Sequence, residues 1–184
     1  MEHRLDREPP GDGPGQWVLL CYRVPREPSA PRIAIWRKLK RLGVAQLGDG
    51  LVALPADART REQLEWVAED VTEAGGSAGA WLARPATLAQ ERELATAMAA
   101  ARAAEYAAVA AAAAAAAARN AGDAARAASL RRLRAELRRI TRRDYFPPAV
   151  REQARAAVEA LAAAHQPAGI LDSAVAVGGA GERP

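Results

Sequence analysis

From Trp17 to Val24 the chain is a short apolar run, WVLLCYRV, rich in β-forming residues, and it predicts a buried strand. Pro25 and Pro28 break the pattern. Ser29 can cap a helix, and Pro31 is tolerated in a first turn, where backbone N–H groups have no helical partner. Ile33, Trp36, Leu39 and Leu42 recur three apart and predict the buried stripe of that helix, with Arg32, Arg37, Lys38, Lys40 and Arg41 on its other faces. Gly43 ends it as a C′ glycine does. Val44 to Leu47 and Leu51 to Leu54 flank the turn Gly48-Asp49-Gly50 and read as a hairpin, or as one strand with a glycine bulge. Thr60 and Gln63 have the spacing of a capping box. The helix they open has a stripe of Leu64, Val67, Ala68 and Val71 and an acidic outer face of Glu62, Glu65, Glu69, Asp70 and Glu73. Gly75-Gly76 stops it, and Ser77 to Ala83 is a fourth strand ended by Pro85. The order β-α-β-β-α-β predicts a ferredoxin-like, four-stranded antiparallel sheet with two helices on one face. The other face needs a cover, which dimerisation or the C-terminal helices could supply.

The period changes after Pro85. Thr87 and Gln90 form another capping-box pair, and a helix runs through Leu94, Met98 and Tyr106 into an alanine tract ending at Ala118. Alanine is the best helix former but offers few anchors for tight packing. Asn120 and Gly122 break the helix, and Asp123 restarts one with the stripe Leu130, Leu133, Leu137 and Ile140. Tyr145-Phe146-Pro147-Pro148 is a break with two aromatics available for packing. A last helix carries Val150, Ala154, Val158 and Leu161 on one face. The expected class is therefore α+β, a βαββαβ sandwich followed by a helical extension. The expected organisation is a disordered tail over 1–15, the sandwich over 16–86, about three helices over 87–166 and a flexible tail over 167–184.

Composition and charge then narrow the function. The net charge of +4 is shared unevenly, because the first helix has no acidic residue and holds both lysines of the chain. The helix after Asp123 carries Arg126, Arg131, Arg132, Arg134, Arg138, Arg139, Arg142 and Arg143. Such surfaces favour polyanionic partners, and arginine binds phosphate bidentately. Solvated faces of amphipathic helices in an arginine-biased chain would look the same. The one cysteine, Cys21, excludes an internal disulfide framework and points to a reducing compartment. No signal peptide or apolar membrane span is visible, so the expected location is cytoplasmic. His3 and His165 lie in the two tails. There is no catalytic triad, no glycine-rich phosphate loop opening a helix and no zinc pattern, so no enzyme, metal or cofactor is expected.

The segments WVLLCYRVP, SAPRIAIWRKLKRLG and TREQLEWVAEDVTEAGG together resemble the N-terminal domain of the ChrB family of chromate-resistance regulators, and LRRLRAELRRITRRDYF is similar to that family's helical extension. The resemblance spans about residues 16 to 165 and is most specific at WRKLKRLG. It implies a ferredoxin fold like that of Cas2 and a DNA-binding regulator of an efflux operon. Full-length members carry a further C-terminal domain, which is absent from these residues. Folds of that kind can carry a metal-dependent nuclease with an aspartate at the end of the first strand. Here that segment reads Cys21-Tyr22-Arg23-Val24, and an arginine there repels a cation.

The reading is thus a dimeric, repressor-like DNA-binding regulator associated with chromate resistance. Its expected phosphate contacts are Arg32, Arg37, Lys38, Lys40 and Arg41 on the first helix and Arg131, Arg134, Arg138 and Arg142 on the later one. Neither helix has a helix-turn-helix partner, so sequence-specific readout has no motif behind it. Arg23, Arg26 and Arg32, around the start of the first helix, are the candidates for sensing a chromate-like oxyanion. Nearby arginines could make Cys21 a redox thiolate, but a lone cysteine in an apolar strand is expected to be buried. The alternative function is an interaction module that binds no DNA and partners a separate chromate-resistance protein.

Overall fold

The computed structural model describes residues 15–119 and 122–164. The expected tails therefore fall outside the described residues, apart from Gly15, and so do His3 and His165. The elements run β1 (Trp17–Arg23), α1 (Ser29–Leu42), β2 (Ala45–Gly48), β3 (Leu51–Pro55), α2 (Ala58–Glu73), β4 (Ser77–Ala83), α3 (Leu88–Ala118), α4 (Asp123–Thr141) and α5 (Val150–Ala163). The four strands form one antiparallel sheet in the order β2-β3-β1-β4. This is the ferredoxin-like arrangement expected, followed by the helical extension.

Side chains alternate across a sheet, so the even positions of β1 share a face with their cross-strand partners. Val18 lies opposite Leu54 and Leu82, and Leu20 opposite Val52 and Ala80. Val18, Leu20, Val52 and Leu54 are buried in one cluster with Leu64, Val67 and Val71 of α2 and Ile35 and Leu39 of α1. The stripe of α2 is thus the one its period predicts. That of α1 is rotated: Ile35 and Leu39 are buried, whereas Ile33 and Trp36 are exposed. The correct set follows the i, i+4, i+7 ladder from Ile35 to the half-buried Leu42 rather than a run of threes. The caps shift too. Ser29 is the first helical residue of α1, and the N-cap is Pro28, which makes no side-chain cap bond. The box of α2 is built one turn earlier than Thr60–Gln63: Asp57 accepts from the Thr60 N–H at 2.6 Å, and the Thr60 hydroxyl accepts from the Asp57 N–H at 2.9 Å. At α3 the Thr87 hydroxyl accepts from the Gln90 N–H as expected, while the Gln90 side chain accepts from Ala86. The β2–β3 pair is a hairpin and also contains an irregularity, between Gln46 and Gly48.

The other face of the sheet is covered at one end. Trp17 stacks on Phe146 with ring centroids 6.0 Å apart, and its indole N–H donates to Glu91 of α3. Leu94 and Met98 of α3 join the sheet cluster there. Further along β1, Leu19 is half-buried and Cys21 exposed. The expectation of a buried cysteine is overturned, because Cys21 lies on the face that α3 leaves uncovered. Trp81 of β4 is 65% exposed.

A second, separate core belongs to the helices. Tyr106, Val109, Ala113 and Ala116 of α3 pack with Leu130, Leu133 and Ile140 of α4 and with Ala154, Val158 and Leu161 of α5. The alanine tract was expected to offer little grip. Instead small side chains let the helices approach closely, and Ala113 is only 1% exposed. α3 is therefore the one element that contributes to both cores.

Candidate anion-binding surfaces

The first basic surface is α1. Arg32, Arg37 and Arg41 are exposed, and among the described residues none makes an ion pair, hydrogen bond or ring contact. The two lysines differ. The Lys38 ammonium donates to Asp70 of α2 at 2.6 Å, and that of Lys40 lies 5.4 Å from the centre of the Trp36 ring. The helix has no acid of its own, but its acidic neighbour supplies one. Lys38 thus has a partner within the fold, and three arginines make up the free charge of this surface.

The C-terminal end of α1 is held from a distance. Gly43 takes a left-handed conformation (φ +74°), and its N–H donates to Leu39 and Lys40. The left-handed backbone favours glycine, and a Cβ there would also crowd Arg143, whose Cβ would lie 3.0 Å away. Arg143 donates to the Lys40 carbonyl at 3.1 Å and to Glu105 at 2.9 Å, and the Tyr145 hydroxyl donates to the Leu42 carbonyl at 3.2 Å. Positive donors at helical carbonyls suit the negative end of the helix dipole. Arg102, also paired with Glu105, is pushed below its ordinary pKa, chiefly by burial. Burial likewise raises the Tyr145 hydroxyl, which sits under the Arg59 guanidinium.

The second basic surface is α4. Its apolar stripe buries Leu130, Leu133 and Ile140, which turns Arg131, Arg134, Arg138 and Arg142 outward at spacings of three and four. Among the described residues no carboxylate pairs with any of these four side chains. Arg139 is bound to Glu136 at 2.6 Å, and Arg143 turns in to the junction with α1. Between α4 and α5 lies a groove of about 490 Å³. Arg134, Arg138 and Arg142 form one wall, Arg155 of α5 the other, and Leu137 and Val158 line it between them. Sequence reasoning did not single out Arg155. Its signal was present, since it lies three residues before Val158 on the helix whose stripe Val158 belongs to.

Below the groove, at the α3–α4 contact, the Tyr106 hydroxyl donates to Asp144 at 2.9 Å. The Asp144 side chain is fully buried, with Arg151 3.8 Å away. Burial is the first cause raising the Tyr106 hydroxyl above its ordinary pKa.

The candidates for oxyanion sensing, Arg23, Arg26 and Arg32, are all exposed, and no hydrogen bond or ion pair joins them among the described residues. Cys21 is exposed on β1, two residues before Arg23. Among the described residues no group of three or more His, Cys, Asp or Glu is placed to hold a metal, and no helix is long and apolar enough to cross a membrane.

Comparison with known proteins adds one finding. Residues 32–121 match the family model described as "Protein ChrB, N-terminal". That segment begins in the first turn of α1, carries the acidic α2 and ends just past the alanine tract of α3. It agrees with the resemblance carried by WRKLKRLG and the α2 segment. No curated protein and no solved structure matches the chain.

Proposed function

We propose that this chain, with a ChrB N-terminal region over residues 32–121, is a non-catalytic regulator associated with chromate resistance that binds DNA through its basic helices. The observation that carries the proposal is the outward arginine row of α4, Arg131, Arg134, Arg138 and Arg142, without a carboxylate partner among the described residues. Arg32, Arg37 and Arg41 of α1 add a second surface. Lys38 and Lys40 contribute less, because each has a partner within the fold. Phosphate contacts need charge within reach rather than a groove-reading motif, and both surfaces supply it. Residues 16–86 form the body and 87–166 the extension that bears the stronger surface. The protein acts in the cytoplasm as a homodimer. A chromate-like effector engages Arg23, Arg26 and Arg32, the exposed cations around the start of α1.

The alternative, an interaction module without DNA contact, draws on the exposed Trp81 of β4 and the half-buried Leu19 opposite it on the same face. Salt separates the two readings. Binding of the chain to duplex DNA from its own upstream region, followed by fluorescence anisotropy across a salt series, is expected to weaken steeply as salt rises. R131E/R142E should weaken it more than R32E/R37E does. Absence of binding at low salt would sink the regulator and leave the interaction module. Release of the DNA by chromate would support an effector site within these residues.

A further inference from the structure

We infer that the α4–α5 groove is a binding site for a nucleoside polyphosphate, a small ligand carrying several linked phosphates on an organic ring body. Four guanidinium groups and one carboxylate, Glu159, line it, so an occupant must bring several negative charges. Arg134, Arg138 and Arg142 recur every four residues and span about 12 Å along α4. One tetrahedral anion would draw three like charges together, whereas linked phosphates can meet the guanidiniums in turn, each by a bidentate fork. Arg155 faces them from α5. The groove, about 490 Å³, lies within the ordinary range for small-molecule sites. The half-buried Leu137, with the edge of the core residue Val158, gives an apolar floor to a ring system, which a bare polyphosphate would leave unused. Thr141 and Glu159 supply a hydroxyl and an acceptor for sugar or base groups. Glu152, 3.5 Å from Arg155, is the one carboxylate a phosphate would have to displace, and at that length the contact is weak. The extended backbone of duplex DNA needs charge on an outer face but neither the recess nor its apolar bed. The groove shares Arg134, Arg138 and Arg142 with the surface proposed for DNA, but ligand binding there does not require that this chain bind DNA.

The test is calorimetric titration of the full chain with ATP, inorganic triphosphate and adenosine at one fixed ionic strength. ATP is expected to saturate a single site, with triphosphate at least about tenfold weaker and adenosine undetectable, since charged hydrogen bonds and apolar contact both contribute. R138E/R155E should lower ATP affinity by at least about tenfold, while R32E/R37E on α1 should leave it within about twofold, because only the first pair lines the groove. Far-UV circular dichroism checks that both variants keep their helices. Failure of ATP to saturate, triphosphate binding as tightly as ATP, or equal losses in the two variants would each overturn the inference. DNA binding measured on the unaltered chain keeps the two questions apart, since ATP binding without DNA binding removes the regulator and leaves this site standing.

Discussion

The two cores of this protein differ in how much alanine they bury between their elements. The sheet core uses large side chains: Val18, Leu20, Leu54, Leu64, Val67 and Val71 are all buried to within 1%. The helical core sets small ones among large ones, with Ala113, Ala116 and Ala154 beside Leu130, Leu133, Ile140, Val158 and Leu161, and Tyr106 as its one buried aromatic. Both derive stability from apolar area removed from water, and the second adds the close helix approach that alanine permits. Charge follows the same division. The sheet half joins its basic helix to an acidic one through Lys38 and Asp70, whereas among the described residues no carboxylate pairs with the arginine row of α4.

The largest effects should come from reversing each packing rule. Leu64→Ala removes a fully buried side chain from the sheet core and should cost about 2–5 kcal/mol. Ala113→Leu forces bulk between closely packed helices and should cost about 1–3 kcal/mol by overpacking, although leucine is itself a good helix former. Chemical denaturation of both variants checks this, and a stabilised Ala113→Leu would show that the alanine contact is loose. Next is the polar anchor of the helical core. Tyr106→Phe leaves the buried Asp144 short of a donor, a loss of about 1–3 kcal/mol. The same tyrosine gives a pH signature. Its folded pKa is raised above the ordinary 10.0, so the unfolded chain ionises first. That stability is fully present below pH 10 and is lost as pH rises through the folded value. The fall should be shallower in Tyr106→Phe, and an unchanged alkaline limb would exclude this residue as its source. The smallest effect belongs to Lys38→Ala, whose ion pair is about one-third exposed and should contribute less than about 1 kcal/mol. A loss well above that would mean that the ion pair couples the two sheet-half helices more strongly than its exposure implies.

The parts legible in the sequence were those governed by local spacing. The strand–helix order, the stripe of α2 and the stripe of α4 each follow from period and punctuation alone. α1 was misread because Ile33, Ile35, Trp36, Leu39 and Leu42 offer two overlapping stripes. The choice between them is made by the neighbouring helix, where Asp70 draws Lys38 inward and Trp36 turns out beneath Lys40. The cap at Asp57 was visible as an acid three residues before a threonine, but the Thr60–Gln63 pair competed with it. The exposure of Cys21 was beyond local reading, because it depends on how far α3 reaches across the sheet. The groove needed two helices to be brought together. Three of its arginines could be named from α4 alone, and the fourth could not.

The bonds that close the end of α1 join residues 103 positions apart, Arg143 to Lys40 and Tyr145 to Leu42. Contacts of such separation form late, after the loop-closure entropy of everything between them has been met. During synthesis the four strands and both flanking helices can assemble once Ala83 has left the ribosome, while the basic helix still has an open end. Its final seat waits for the turn that follows α4, so the matched family region is completed by residues that lie beyond its own C-terminal limit.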